Sequence, residues 1–174
     1  MVLCCEKVTR SHSVKTITHI VMLLYVFIIV GIPMSLLLGE EWVWTEKVSL
    51  WTMLGIVAFT LVPVWVFLPR YVSVTDTCLK LYRGIGVSSF VLEDIKAIRL
   101  YSPSNVVTTC TFGIGGVGGF IGKFYNSEIG KYIAYVGDYS QAFLVVMKSG
   151  KKYLLSCQNP EKVVEFAADR LRKR

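Results

Sequence analysis

The chain is 174 residues long, 53% hydrophobic, and carries a net charge of +7. That length gives room for one ordinary domain and a modest addition, and the apolar content exceeds what a soluble domain usually holds, so part of it is expected to face lipid. With histidine only at positions 12 and 19 and no C-x-x-C among five cysteines, no zinc site is expected.

The first element is the adjacent pair Cys4-Cys5, read as two reduced thiols or, given a nearby membrane, as sites of S-acylation. Two uncharged apolar runs follow, Ile17 to Leu38 and Val48 to Leu68, of 22 and 21 residues. At 1.5 Å rise per residue each reaches about 30 Å, the thickness of a hydrocarbon core. Both are too long for the apolar part of a signal peptide. Pro33 and Pro63 fall inside them, where a lipid-embedded helix tolerates a kink.

Lys7, Arg10 and Lys15 precede the first run, and Arg70, Lys80 and Arg83 follow the second. The connector Gly39 to Lys47 carries Glu40, Glu41 and Glu46 against Lys47 alone. Because cytoplasmic flanks retain Lys and Arg, both termini are expected in the cytoplasm and the acidic connector outside. Trp42, Trp44 and Trp51 mark the outer interface and Trp65 the inner one. The expected organisation is a segment over 1–16, a transmembrane hairpin of helices 17–38 and 48–68 with a loop over 39–47, and a cytoplasmic domain over 69–174.

From Pro69 onward the chain holds 15 Lys/Arg against 8 Asp/Glu, so the whole net charge belongs to this domain. A basic domain beside an anionic leaflet gains on the order of 1 kcal/mol per cation near the surface. The cations are scattered and no recognition motif accompanies them, so nucleic acid is not an expected partner.

Within the domain, Tyr71 to Thr75 and Cys78 to Arg83 alternate as strands. Val87 to Tyr101 reads as one or two more, with Glu93-Asp94 at a bend. Lys131 to Val136, Ala142 to Lys148 and Lys151 to Cys157 are rich in β-branched and aromatic residues, with Ser149-Gly150 as a hairpin turn. A C-terminal helix opens at Asn159-Pro160 and ends in Arg170, Arg172, Lys173 and Arg174. Val163, Phe166, Ala167 and Leu171 supply its apolar face. The fold class is therefore an α+β membrane protein whose domain is a barrel or sandwich of about seven strands closed by one helix.

Thr111 to Gln158, TFGIGGVGGFIGKFYNSEIGKYIAYVGDYSQAFLVVMKSGKKYLLSCQ, resembles the bacterial pleckstrin-homology-like (PH-like) domains that occur beside transmembrane hairpins. The glycine-rich segment, IGKYIAYVGD and SGKKYLLS carry most of the likeness, which extends over nearly all of Pro69 to Arg174. It implies a PH-like barrel at a bacterial inner membrane and no catalysis. In eukaryotic relatives headgroup binding uses basic residues at the first hairpin. Here that turn is Thr75-Asp76-Thr77-Cys78, which makes a specific headgroup pocket there doubtful.

GIGGVG at Gly113 to Gly118 satisfies G-x-G-x-x-G but lacks the following helix of a dinucleotide site, and Phe124 stands where a phosphate loop needs a hydroxyl. Two readings stay open for this segment. In one, the glycines allow bends while Phe112, Phe120, Phe124 and Tyr125 pack inward. In the other, Phe120, Ile121 and Phe124 form an apolar tip that enters the bilayer while Lys123 meets headgroups.

Candidate membrane contacts are thus Phe120, Ile121, Lys123, Phe124, Arg70, Arg172, Lys173 and Arg174. No catalytic residue, metal ligand or cofactor is assigned: the domain contains no histidine for a Ser-His-Asp or Cys-His pair unless His12 folds back, and Cys78, Cys110 and Cys157 read as small core residues. The expected function is a membrane-anchored, non-enzymatic module for protein interaction or headgroup contact. An oligomeric scaffold packed through Gly31 and Gly55 is the alternative, and an enzyme with an unrecognised site is third.

Overall fold

Alternation along Pro69–Thr75 (β2) and Cys78–Arg83 (β3) turns Val72, Val74, Leu79 and Leu81 into a common interior, where all four are fully buried. A computed structural model describes residues 2–38, 44–102 and 107–172. The connector residues Glu40, Glu41 and Trp42 and the tail residues Lys173 and Arg174 lie outside that range, as do the side chains of Pro33, Glu46, Pro63 and Trp65.

The 1–16 segment is not a separate appendage. Val2–Lys7 forms a strand (β1) that pairs antiparallel with β2, Lys7 opposite Tyr71 and Glu6 opposite Val72. With Val87–Val91 (β4) these strands make a sheet in the order β1-β2-β3-β4. The remaining strands are Ile95–Tyr101 (β5), Thr109–Gly115 (β6), Phe120–Asn126 (β7), Gly130–Val136 (β8), Ala142–Met147 (β9) and Lys152–Ser156 (β10). They form a second sheet, β5-β9-β10-β8-β7-β6, in which β8 and β10 run parallel.

Nine strands therefore lie in 69–174 among the described residues, against about seven expected. The difference comes from the glycine-rich segment, which is an antiparallel hairpin rather than a run of bends. Gly113 and Gly122 sit opposite each other with φ of 146° and 130°, and a Cβ on either would strike the backbone of the facing strand. Glycine is used for close approach, which strand propensity does not anticipate.

One core lies between the sheets, built from Val72, Leu81, Phe90, Phe143, Val145 and Leu155 with Val163 and Ala167 of the C-terminal helix Pro160–Arg172 (α3). A second collects Phe124, Tyr132, Ala134, Leu144 and Leu154. Consecutive residues of β9 thus enter different cores, which explains why Ala142 to Val146 is an unbroken apolar run. On α3, Val163 and Ala167 are buried one turn apart while Phe166 is exposed, being rotated off their line. Asn159 occupies the N-cap position, but its Nδ2 donates to Glu6 Oε2 at 2.9 Å, so this side chain fastens α3 to β1.

Between β1 and β2 the chain makes two helices, His12–Leu38 (α1) and Trp44–Phe67 (α2), linked by a 2.8 Å hydrogen bond between the Tyr25 and Thr60 hydroxyls. Each begins before its apolar run. Ser11 Oγ accepts from the Val14 N–H and starts α1 early, and α2 takes Trp44 to Lys47 from the expected connector. Within α1, His12–Gly31 is long and apolar enough to cross a membrane.

Candidate functional site at the junction of helices and sheets

The chain enters α1 through a set of bonds to β2 and to the segment between β8 and β9. Val8 N–H donates to the Arg70 carbonyl at 2.8 Å, the Thr9 hydroxyl donates to Gln141 Oε1, and Ser11 N–H donates to the Gly137 carbonyl at 3.0 Å. Two turns later Thr18 Oγ1 accepts from Gly118 N–H at 2.8 Å. At the end of α2, the Val66 carbonyl accepts from Ile85 N–H at 3.0 Å, and the Leu68 carbonyl from Gly84 N–H at 2.9 Å. The Arg83 guanidinium lies 5.6 Å from the Phe67 ring centroid and 5.9 Å from that of Tyr135. Both helix bases are therefore docked on the domain.

Between these attachments lies a recess of about 860 Å³. Thr18, Met22, Val62 and Val66 face it from the helices, and Lys7, Arg10 and Arg70 from the domain side. Burial, and then the like charge of Arg70, hold the Arg10 guanidinium below its ordinary pKa. This grouping escaped sequence reasoning. Lys7 and Arg10 were legible only as flanking charges and Arg70 as an isolated membrane-contact candidate, because nothing local to them announces that β1 and β2 are neighbours.

The sequence-derived contact residues do not form one surface. Ile121 and Phe124 are 6% and 3% exposed, and Phe120 is half-buried with its ring 4.8 Å from that of Tyr139. A projecting apolar tip is not what this burial gives: Ile121 and Phe124 lie on opposite faces of β7, and the protein covers both. The packing alternative is corrected in part as well, since Phe112 is 76% exposed and Tyr125 is exposed too. Lys123 and Arg70 are exposed.

Arg172 lies far from Arg70. Arg170, one half-turn before it, pairs with Asp76 at 3.1 Å in the turn after β2, and β2 carries the chain about 20 Å from Pro69 to that turn. A second basic group also sits away from the helices. Lys123, Lys131 and Lys151 line a cleft of about 580 Å³, and Lys131 stands roughly 20 Å along β8 from Gly137.

Among the described residues no three His, Cys, Asp or Glu side chains gather as a metal site would require. On β1 the two cysteines separate, Cys4 half-buried against the core and Cys5 exposed. Burial raises the Cys4 thiol and pushes that of Cys157 up to about 12.

Two β-sheets packed on one another and closed by a C-terminal helix fit a PH-like domain, a class of generally non-catalytic binding modules. The family model described as "Bacterial PH domain" matches residues 70–171, and the chain belongs to that family. The match begins after the helices, so β1 completes the first sheet from outside the family's own boundaries. No curated protein and no solved structure matches the chain.

Proposed function

We propose that the protein is a membrane-anchored, non-enzymatic interaction module of the bacterial inner membrane, with α1 and α2 as two transmembrane helices and the PH-like domain on the cytoplasmic side. The observation that carries this reading is the pairing of β1 with β2. Those strands flank the helices and hydrogen-bond to each other, so both flanks lie on one side of any bilayer and the number of crossings between them is even. If α1 crosses, α2 must return. Large apolar side chains of both helices are exposed, Phe27 and Phe59 among them, which suits a lipid environment. The flanking Lys and Arg orient the domain inward.

Within this arrangement the lysine cleft lies at the far end of β8 from the attachment of α1 at Gly137, which favours an acidic protein partner over headgroups for that surface. The topology is tested by alkaline-carbonate extraction and by labelling with a membrane-impermeant maleimide. The protein should stay in the membrane pellet, and a Glu41→Cys variant should label from outside intact cells while Cys5 does not. Release by carbonate, or external labelling of Cys5, defeats the proposal.

Self-assembly has one observation in its favour: the faces of Gly31 and Gly55 are open, with nothing within 4 Å of a Cβ placed there. Crosslinking in native membranes should then trap dimers or larger species, and Gly55→Leu should abolish them. A monomer under all conditions removes this second reading.

A further inference from the structure

The recess at the helix bases has an apolar half and a cationic half, and its described lining holds no carboxylate. Met22, Val62 and Val66 belong to the helical walls, within a few turns of the domain, while Lys7, Arg10 and Arg70 converge from β1, its exit and β2. We propose that this recess binds one anionic phospholipid of the cytoplasmic leaflet, its phosphate between Arg10 and Arg70 with Lys7 beside them, and an acyl chain against Met22, Val62 and Val66.

Each part of the lining has a counterpart in such a molecule. Two guanidinium groups near each other repel, and a phosphate between them converts that repulsion into charge-assisted hydrogen bonds. Burial first, and then the charge of Arg70, disfavour the Arg10 cation, and a phosphate beside it would offset both. A soluble anion would meet the cations and leave the apolar wall uncovered, whereas a lipid of no net charge would cover the wall and bring less negative charge to the cations. A recess of about 860 Å³ falls in the range of ligand sites of roughly 300–1,000 Å³, enough for a headgroup and the upper part of a chain. The site is at the opposite end of β2 from the Thr75-Asp76-Thr77-Cys78 turn, so it is distinct from a headgroup pocket at the first hairpin.

This inference rests on the membrane reading above, and the experiment separates the two. Full-length protein in mild detergent is examined by native mass spectrometry with added phosphatidylglycerol, phosphatidylcholine or inorganic phosphate, and the same preparations are scored for carbonate resistance. One phosphatidylglycerol per chain should be retained in preference to phosphatidylcholine, and inorganic phosphate should not be retained. The Arg10→Gln/Arg70→Gln variant should lose that preference by about tenfold or more, as expected for removing hydrogen bonds to a charged group. Lys131→Gln/Lys151→Gln should keep it.

Equal retention of both lipids, retention of phosphate alone, or unchanged selectivity in the double arginine variant overturns the site. The comparison between lipids stands on the wild-type protein even if that variant does not fold. Carbonate-resistant protein without lipid selectivity refutes the site alone, and carbonate-extractable protein refutes the anchoring as well.

Discussion

Replacing Gly137 by alanine should loosen the attachment of α1 to the domain. A Cβ there would lie 3.1 Å from the Thr9 carbonyl carbon, 3.2 Å from Val8 Cγ1, and closer still to the Thr9 oxygen. The main obstacle is backbone, so no side-chain rotation relieves it. Gly137 is not among the residues of positive φ, and collision alone carries the effect. Relief requires Thr9 to move, which strains the Ser11 to Gly137 and Thr9 to Gln141 hydrogen bonds.

Overpacking of about 1–3 kcal/mol, with partial loss of two bonds worth about 1 kcal/mol each, gives roughly 3 kcal/mol. For a chain of this size that lowers Tm by roughly 6–12 °C. Circular dichroism melting of the full chain in mild detergent measures it. Gly31→Ala, where the Cβ meets open space, is the control and should be neutral or stabilise by up to about 1 kcal/mol. A Gly137→Ala shift below 2 °C, or one equal to the control, would refute the claim that this glycine clamps the helix to the sheet.

Gly122→Ala should disrupt the β6–β7 hairpin by about 3 kcal/mol or more, read as lost soluble yield or a lowered melting temperature, because its Cβ meets the Phe112 carbonyl at a positive φ. Phe112→Ser, at an exposed position of the edge strand β6, should change stability by less than about 0.5 kcal/mol and reduce aggregation. Maleimide should modify Cys5 well before Cys4 and Cys157 in the native protein, with the three rates converging in denaturant, since burial protects the latter two and raises their thiols. Cys157 also predicts a pH dependence. Below pH 9 folded and unfolded chains both hold its proton; between pH 9 and about 12 only the folded chain does. Stability should then fall with rising pH by up to about 1.4 kcal/mol per unit, and Cys157→Ala should flatten that slope in denaturant titrations at pH 8, 9 and 10.

The elements legible in the sequence are those whose signals are local. α3 starts at the Asn159-Pro160 punctuation, and the Ser149-Gly150 turn joins β9 to β10, with Gly150 at φ 82°. β6 and β7 were hidden because glycines that weaken a strand in isolation are what lets these two backbones meet. β1 was hidden for a different reason. Its partner lies beyond both helices, and VLCCEK carries neither flanking turn residues nor a clean alternation. The recess was illegible for the same cause, since Lys7, Arg10 and Arg70 become neighbours only through that pairing. For Phe120 and Ile121 two readings stayed open in the sequence because an apolar run suits both a core and an insertion, and the burial of Ile121 and the packing of Phe120 on Tyr139 come only from tertiary neighbours.

The pairing of β1 with β2 also dictates an order of events during synthesis. β1 emerges from the ribosome first, and β2 follows about 60 residues later, roughly 3–12 s at 5–20 residues per second. For that interval β1 lacks its partner in the first sheet. If the two helices cross a bilayer as proposed, β1 and β2 can meet only when the chain has returned to the side it left, and a second helix that failed to return would keep them apart. Closing the first sheet would then be a proofreading step on the placement of the hairpin.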